Sequence, residues 1–235
     1  MSNLSNLTQA IQSMFPGKQA AGTPTMSTPF APGQDPVVGG LGNVTRLKTY
    51  NEQPVYAIID DSGSMYGTPS QEASQAAMAL MAELADPKNK DGFRVNVIRF
   101  GSSSTMVASS AAPETISVAF TGSSGGTVAA PALAMAQEAE KSFAPRRDRR
   151  RVPGIVVFMS DGALSDTTEA IRVANEMKQA KMTIITIGFG AGADVATLQA
   201  IATSPQHYAY ANVGSLVGLF AKVGKTLSQQ LSKAA

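Results

Sequence analysis

The sequence predicts an α/β domain: a doubly wound, mostly parallel six-stranded sheet flanked by helices, preceded by a flexible amino-terminal arm. Three observations carry this expectation. From residue 54 onward, short β-branched apolar runs alternate with longer stretches of helical periodicity, the pattern of strands joined by crossover helices. Several of the runs are continuously apolar, as strands covered on both faces should be. Finally, 235 residues, 43% of them hydrophobic, suffice for one well-buried core but are few for two.

In chain order, residues 1–45 hold one lysine, one aspartate, five prolines and six glycines. That is too little to build a core, so they read as the arm, and residues 46–235 as the domain. Within the arm, Leu4, Leu7, Ile11, Met14 and Phe15 fall at helical spacing and would line one side of a short helix able to dock on a partner or on this chain's own surface. Such a helix is marginal alone in water. Strands are expected at residues 55–60, 94–100, 155–159, 182–188 and 207–211, with a weaker one at 115–120. The first helix should start at Thr68, with Pro69 suited to the first turn and Gln71 at capping-box spacing, and bury Ala73, Ala76, Ala77, Leu80, Met81 and Leu84. A second helix should follow Thr127 and run to about Phe143. Asp166, with Glu169 three residues on, marks a third that ends near Lys181, and Asp194 opens a short fourth. The last helix carries Leu216, Leu219, Phe220, Val223, Leu227 and Leu231 on one face.

Composition excludes several functions. Charged residues are only 15% of the chain, against roughly 25% in an average globular protein. The formal net charge is +2, so a strongly basic nucleic-acid binder is not expected. No apolar stretch approaches the roughly 18 residues of a membrane span. The first residues lack a basic start followed by an apolar run, and a cytoplasmic location is the expectation. Without cysteine there is no disulfide, thiol nucleophile or thiolate-bound metal, and a single His207 leaves little histidine chemistry.

The chemistry that remains is built on oxygen. Asp60, Ser62 and Ser64 form an Asp-x-Ser-x-Ser turn where the first apolar strand ends, and the carboxyl ends of parallel strands are where ligands bind in such sheets. A carboxylate and two hydroxyls at alternating positions can converge on one small cation, and these hard donors suit magnesium or manganese far better than zinc. Thr127, after the glycine-rich 122–126 loop, and Asp161, in Met159-Ser160-Asp161-Gly162, are further donors at other junctions. Five protein oxygens and water leave an octahedral position open to an acidic group from outside, so the site is built to bind rather than to react. Asp61, one position along, should point away as a solvated or supporting acid.

These motifs resemble those of the von Willebrand factor A family, whose metal-ion-dependent adhesion site consists of an Asp-x-Ser-x-Ser turn, a distal threonine and a distal aspartate. The resemblance covers residues 52–233 and implies a Rossmann-like fold, magnesium held by Asp60, Ser62, Ser64, Thr127 and Asp161, and a protein partner that supplies a carboxylate to the metal. Ser124 to Thr127, Ile187-Gly188-Phe189-Gly190 with Ala193-Asp194, and the final amphipathic helix resemble the tellurium-resistance-associated TerY-like branch. That likeness implies a cytoplasmic module acting beside kinase and phosphatase partners in stress signalling, without catalytic activity. Ser160 replaces a threonine found in many relatives, and the arm lies outside the family pattern.

Rival readings weigh less. A magnesium phosphohydrolase using Asp60 as nucleophile would want a second acid two residues on, where Ser62 stands, and a cationic phosphate clamp. A serine hydrolase would need His207 as its base. Gly188-x-Gly190-x-x-Ala193 lacks the acidic ribose partner of a dinucleotide site, and residues 122–127 lack the lysine of a P-loop. A metal-independent scaffold acting through the arm is a further alternative. Five arginines and Asp148 give residues 146–151 a charge of +4, leaving −2 for the rest of the chain; the run reads first as a solvated loop and second as a receiver of acidic groups.

Overall fold

Alternate residues of the first strand belong to two different cores, and this decides the architecture. In the computed structural model, which describes residues 50–233, β1 spans Tyr50–Asp60. Val55, Ala57 and Ile59 join one apolar cluster, and Tyr56 and Ile58 the other. A strand that is apolar on both faces is stable only when covered on both. The remaining strands are β2 (Phe93–Phe100), β3 (Ser104–Ala111), β4 (Arg149–Arg151), β5 (Ile155–Ser160), β6 (Thr183–Phe189) and β7 (Tyr208–Ala211). The helices are α1 (Thr68–Leu84), α2 (Ala130–Ser142), α3 (Thr167–Gln179), α4 (Val195–Ile201) and α5 (Leu216–Lys233). Helices α1 and α5 cover the first face, burying the predicted stripes of both; α2, α3 and α4 cover the second. The arm and its Leu4 to Phe15 stripe lie outside the described residues.

The sheet order is β3-β2-β1-β5-β6-β7, with β4 pairing to the start of β1. Every pairing is parallel except β2 with β3. The chain moves outward from β1 through α1 to β2, then returns through α2 to β5 on the other side of β1. Order therefore reverses between β1 and β5, and the loops leaving their carboxyl ends diverge to opposite faces. This is the crevice where open α/β sheets bind ligands.

Seven strands stand where six were expected, and two details differ for physical reasons. Residues 115–120 form no strand: a turn at Pro113–Thr115 leads into irregular chain. Ile116 and Phe120 are buried by alternation, but the Phe120 N–H donates to Ser74 Oγ on α1 instead of to a strand. The edge strand is β3, whose small residues Ser104, Ala108, Ser109, Ser110 and Ala111 lack the β-branched signal and acquire their conformation by pairing with β2.

The arginine run is likewise not a simple solvated loop. Arg146 Nε donates to the buried Glu52 at 2.8 Å, and Arg94 reaches the same carboxylate at 3.2 Å. Arg151 bonds Glu140 at 2.9 Å, and the other oxygen of Glu140 accepts from Tyr56 Oη at 2.9 Å. Buried carboxylates need such partners, and residues Arg149–Arg151 also pair with the start of β1 as β4. Arg147 and Arg150 stay exposed.

Candidate metal centre

Asp60 ends β1 at the order reversal and is completely buried. The Ser62 N–H donates to its Oδ1 at 2.9 Å, and Ser160 Oγ, from the end of neighbouring β5, donates to Oδ2 at 2.6 Å. Ser62 Oγ lies 3.0 Å from Ser64 Oγ, which donates to Asp161 Oδ1 at 2.8 Å. The structure thus links Asp60, Ser62, Ser64 and Asp161 into one hydrogen-bonded chain, Asp60 through the Ser62 amide and the rest through hydroxyl and carboxylate oxygens. Met65, wholly buried in the core beneath, pins the turn that presents the serines.

Thr127 approaches from a third loop, and its backbone fixes its place. Ser124 forms a parallel bridge with Ser62; Val128 N–H donates to the Gly101 carbonyl at 2.8 Å, and Ser165 N–H to the Thr127 carbonyl at 2.9 Å. Among the described residues the Thr127 hydroxyl bonds none of the other four. The loop's glycines are sterically required at one point: Gly122 has φ +62°, and a Cβ there would strike the Tyr66 backbone.

Both acids of the site are held above their ordinary range. Burial pushes the carboxyl of Asp60 above its ordinary range, opposed by hydrogen bonds from Ser160 and Ser62 and reinforced by the charge of Asp161. Burial likewise raises Asp161, opposed by Ser64. Among the described residues neither acid has a lysine or arginine within ion-pair distance, although nine ion pairs form elsewhere. No group of three or more His, Cys, Asp or Glu side chains gathers among those residues, so any metal here would depend on hydroxyls beside two carboxylates.

Residues 55–220 match the von Willebrand factor type A domain family. This chain belongs to that family. Solved VWA structures share the fold at low identity. The vWF domain of the type V pili tip protein Mfa5 from Porphyromonas gingivalis aligns with TM-score 0.62 and 14% identity over 77% of this chain and 97% of that one. Proximal thread matrix protein 1 from the mussel byssus, with a zinc-occupied MIDAS motif, aligns with 0.60 and 19% over 76% and 48%. Manganese-loaded TRAP protein from Plasmodium vivax aligns with 0.54 and 22% over 73% and 74%. The chain spans about half the length of the mussel protein. No curated protein sequence matches it.

Three residues of this VWA site escape a reading by motif. Ser160 holds Asp60. Asp61 is not solvated: it is 3% exposed, and its Oδ1 accepts the N–H groups of Thr121 at 2.7 Å and Gly122 at 2.6 Å, clamping the glycine-rich loop. Asp166 precedes α3 but makes no side-chain cap there; it accepts from Ala129 and Ala130 N–H at 2.9 and 2.7 Å, capping α2 instead. The signal for that role was a gap: Val128, Ala129, Ala130 and Pro131 offer no capping side chain, so α2 needs an acceptor from elsewhere. His207, 4% exposed, bonds Ser204 Oγ through Nδ1 in the turn before β7.

Proposed function

We propose that this VWA domain is a non-catalytic interaction module in which Asp60, Ser62, Ser64, Thr127 and Asp161 hold a divalent cation, directly or through water, and an acidic group of a protein partner completes its shell. The observation that carries this reading is a buried carboxylate, Asp60, joined to the half-buried Asp161 through the Ser62 amide and two serine hydroxyls, with no cationic side chain paired to either acid among the described residues. The charge of Asp161 disfavours ionisation of the buried Asp60; a bound cation would supply positive charge and a Lewis-acidic position for an incoming oxygen. The all-oxygen donor set favours magnesium, with manganese as the alternative. Metal occupancy in the mussel and Plasmodium relatives supports the same use of the fold here.

Each protein residue has a distinct part. Ser160 and the Ser62 amide orient Asp60, Asp61 fixes the glycine-rich loop, and Asp166 fixes the start of α2 behind Thr127. The preference for binding over phosphoryl transfer is supported by Ser62 occupying the position of a second acid and by the absence of a lysine or arginine paired to Asp60 or Asp161 among the described residues. A cytoplasmic place in TerY-like stress signalling, beside kinase and phosphatase partners, is the finer form of the proposal and rests on the sequence motifs at residues 124–127 and 187–194. No described helix is long and apolar enough to cross a membrane.

Thermal unfolding in magnesium with added glutarate tests the reading. The carboxylate should raise the midpoint further in magnesium and not in chelator, and Asp161→Ala should lose the increment. An equal increment in chelator would refute metal-mediated capture, and turnover of phosphate esters lost in Asp60→Asn would replace the module with an enzyme.

A further inference from the structure

A second set of polar side chains gathers on the other side of Asp61. Successive residues of a strand point to opposite faces. Asp60 joins the oxygen chain, while Asp61 lines a cavity of about 120 Å³ together with Arg99, Ser103, Thr105, Ser123 and Ser124. Arg99 comes from the end of β2, in register with Thr105 of β3. Its side chain is 45% exposed and stands 3.9 Å from Asp61 Oδ2, beyond hydrogen-bond distance. Two short backbone N–H bonds answer Asp61 Oδ1, and Arg99 is the ion-pair partner of Oδ2 without a direct hydrogen bond. The guanidinium, with five N–H donors, has no hydrogen-bonded acceptor among the described residues.

Hydroxyls complete the wall. Ser124 Oγ accepts the Ser102 N–H at 2.7 Å, which leaves its own proton to donate. Ser123 shares a 2.7 Å bond with Thr121, and Ser103 and Thr105 are exposed at the rim. A guanidinium fork among hydroxyl donors fits the planar oxygens of a carboxylate or the face of a phosphate. It offers little to an apolar ligand, and the Asp61 carboxylate in the same wall is already ion-paired with the guanidinium. The position matters as much as the chemistry: the Ser62–Ser124 bridge joins the two sites, with Ser62 in the oxygen chain and Ser124 in the cavity.

We propose that this cavity binds an oxyanion, phosphate or carboxylate, and that it receives a second acidic group of the same partner whose first acidic group completes the metal shell. The cavity's own affinity is independent of the metal reading; the pairing of the two groups rests on it. The module then selects partners with two acidic groups a few residues apart, one of them a phosphorylated or acidic side chain directed at Arg99.

Inorganic phosphate and acetate, titrated separately into the full chain in chelator and followed by amide chemical shifts, test the cavity. Saturable shifts at Ser103, Thr105, Ser123 and Ser124 are expected, and the anion that saturates at lower concentration identifies the source. Arg99→Gln should weaken that binding at least tenfold, with Arg99→Lys intermediate. No saturation by either anion, or equal affinity in Arg99→Gln, would overturn the site. In magnesium, peptides with one glutamate and one phosphoserine separated by zero to three glycines test the pairing. One spacing should bind at least tenfold tighter than either singly acidic peptide, and Arg99→Gln should abolish the gain. Absence of a gain at every spacing, in a sample shown to bind magnesium, would refute the pairing. Phosphate binding without magnesium binding would instead remove the metal reading and leave the cavity standing.

Discussion

Asp166 offers a sharp test of how the site is held, because its position and its hydrogen bonds point to different helices. By position it opens α3, yet both its oxygens bond the first amides of α2, at 2.9 and 2.7 Å, beside residues that are themselves buried. Hydrogen bonds to a charged group contribute about 1.5–3 kcal/mol each, and replacing a capping side chain by alanine costs about 0.5–2 kcal/mol. Water can partly replace the half-buried carboxylate, so Asp166→Ala should cost about 2 kcal/mol, or about 4–8 °C in midpoint for a chain of this size. Hydrogen exchange locates the loss. Amides of Ala129 and Ala130 should exchange about thirtyfold faster, the equivalent of about 2 kcal/mol, while Thr168 and Glu169 at the start of α3 should change little. Asp166→Asn should retain a good part of the protection. If the α3 amides lose protection and the α2 amides keep it, Asp166 caps its own helix and the argument for Thr127 placement through α2 fails.

Other expectations follow from the same geometry. Gly122→Ala places a Cβ against the Tyr66 backbone at a left-handed φ, so it should lower stability by about 2 kcal/mol or more and weaken magnesium binding, read by denaturation and calorimetry. Phe158 is fully buried and stacks on Phe100 with centroids 5.2 Å apart; Phe158→Ala should cost about 3–5 kcal/mol in a denaturant titration, and a loss under 1 kcal/mol would contradict the packing. Burial holds the His207 imidazole below its ordinary value, so the neutral form is favoured in the fold. Its contribution is therefore present above about pH 6.5 and lost as pH falls through the lower folded value. His207→Gln should flatten the decline of stability from pH 7 to 5 relative to wild type, and parallel curves would refute this.

Much of this was legible because local and tertiary demands agree. The continuously apolar runs of β1, β5 and β6 specify strands covered on both faces, and the Leu216 to Leu231 stripe specifies a helix packed on the sheet. The Asp-x-Ser-x-Ser turn and Asp161 fall at strand ends that the sheet order brings together. What escaped the sequence is set by partners distant along the chain. β3 is a strand because β2 pairs with it, not because of its small residues. Residues 116–120 alternate like a strand but find α1 where a strand would stand. Asp61 and Asp166 resemble a surface acid and a local cap until the loops they bond are folded beside them, and two of the five arginines in the run, Arg146 and Arg151, are fixed by Glu52 and Glu140.

Binding of one divalent cation by the buried Asp60, the half-buried Asp161 and three hydroxyls is what the proposed function turns on. Calorimetric titration of magnesium into the chelator-stripped full chain, at pH 7.5 and at pH 5, tests it most directly. A single site is expected, weaker at pH 5 because protons compete with the metal for the raised carboxyls of Asp60 and Asp161, and abolished in both Asp60→Ala and Asp161→Ala. No binding in the wild-type chain, or binding unchanged in Asp161→Ala, would contradict it.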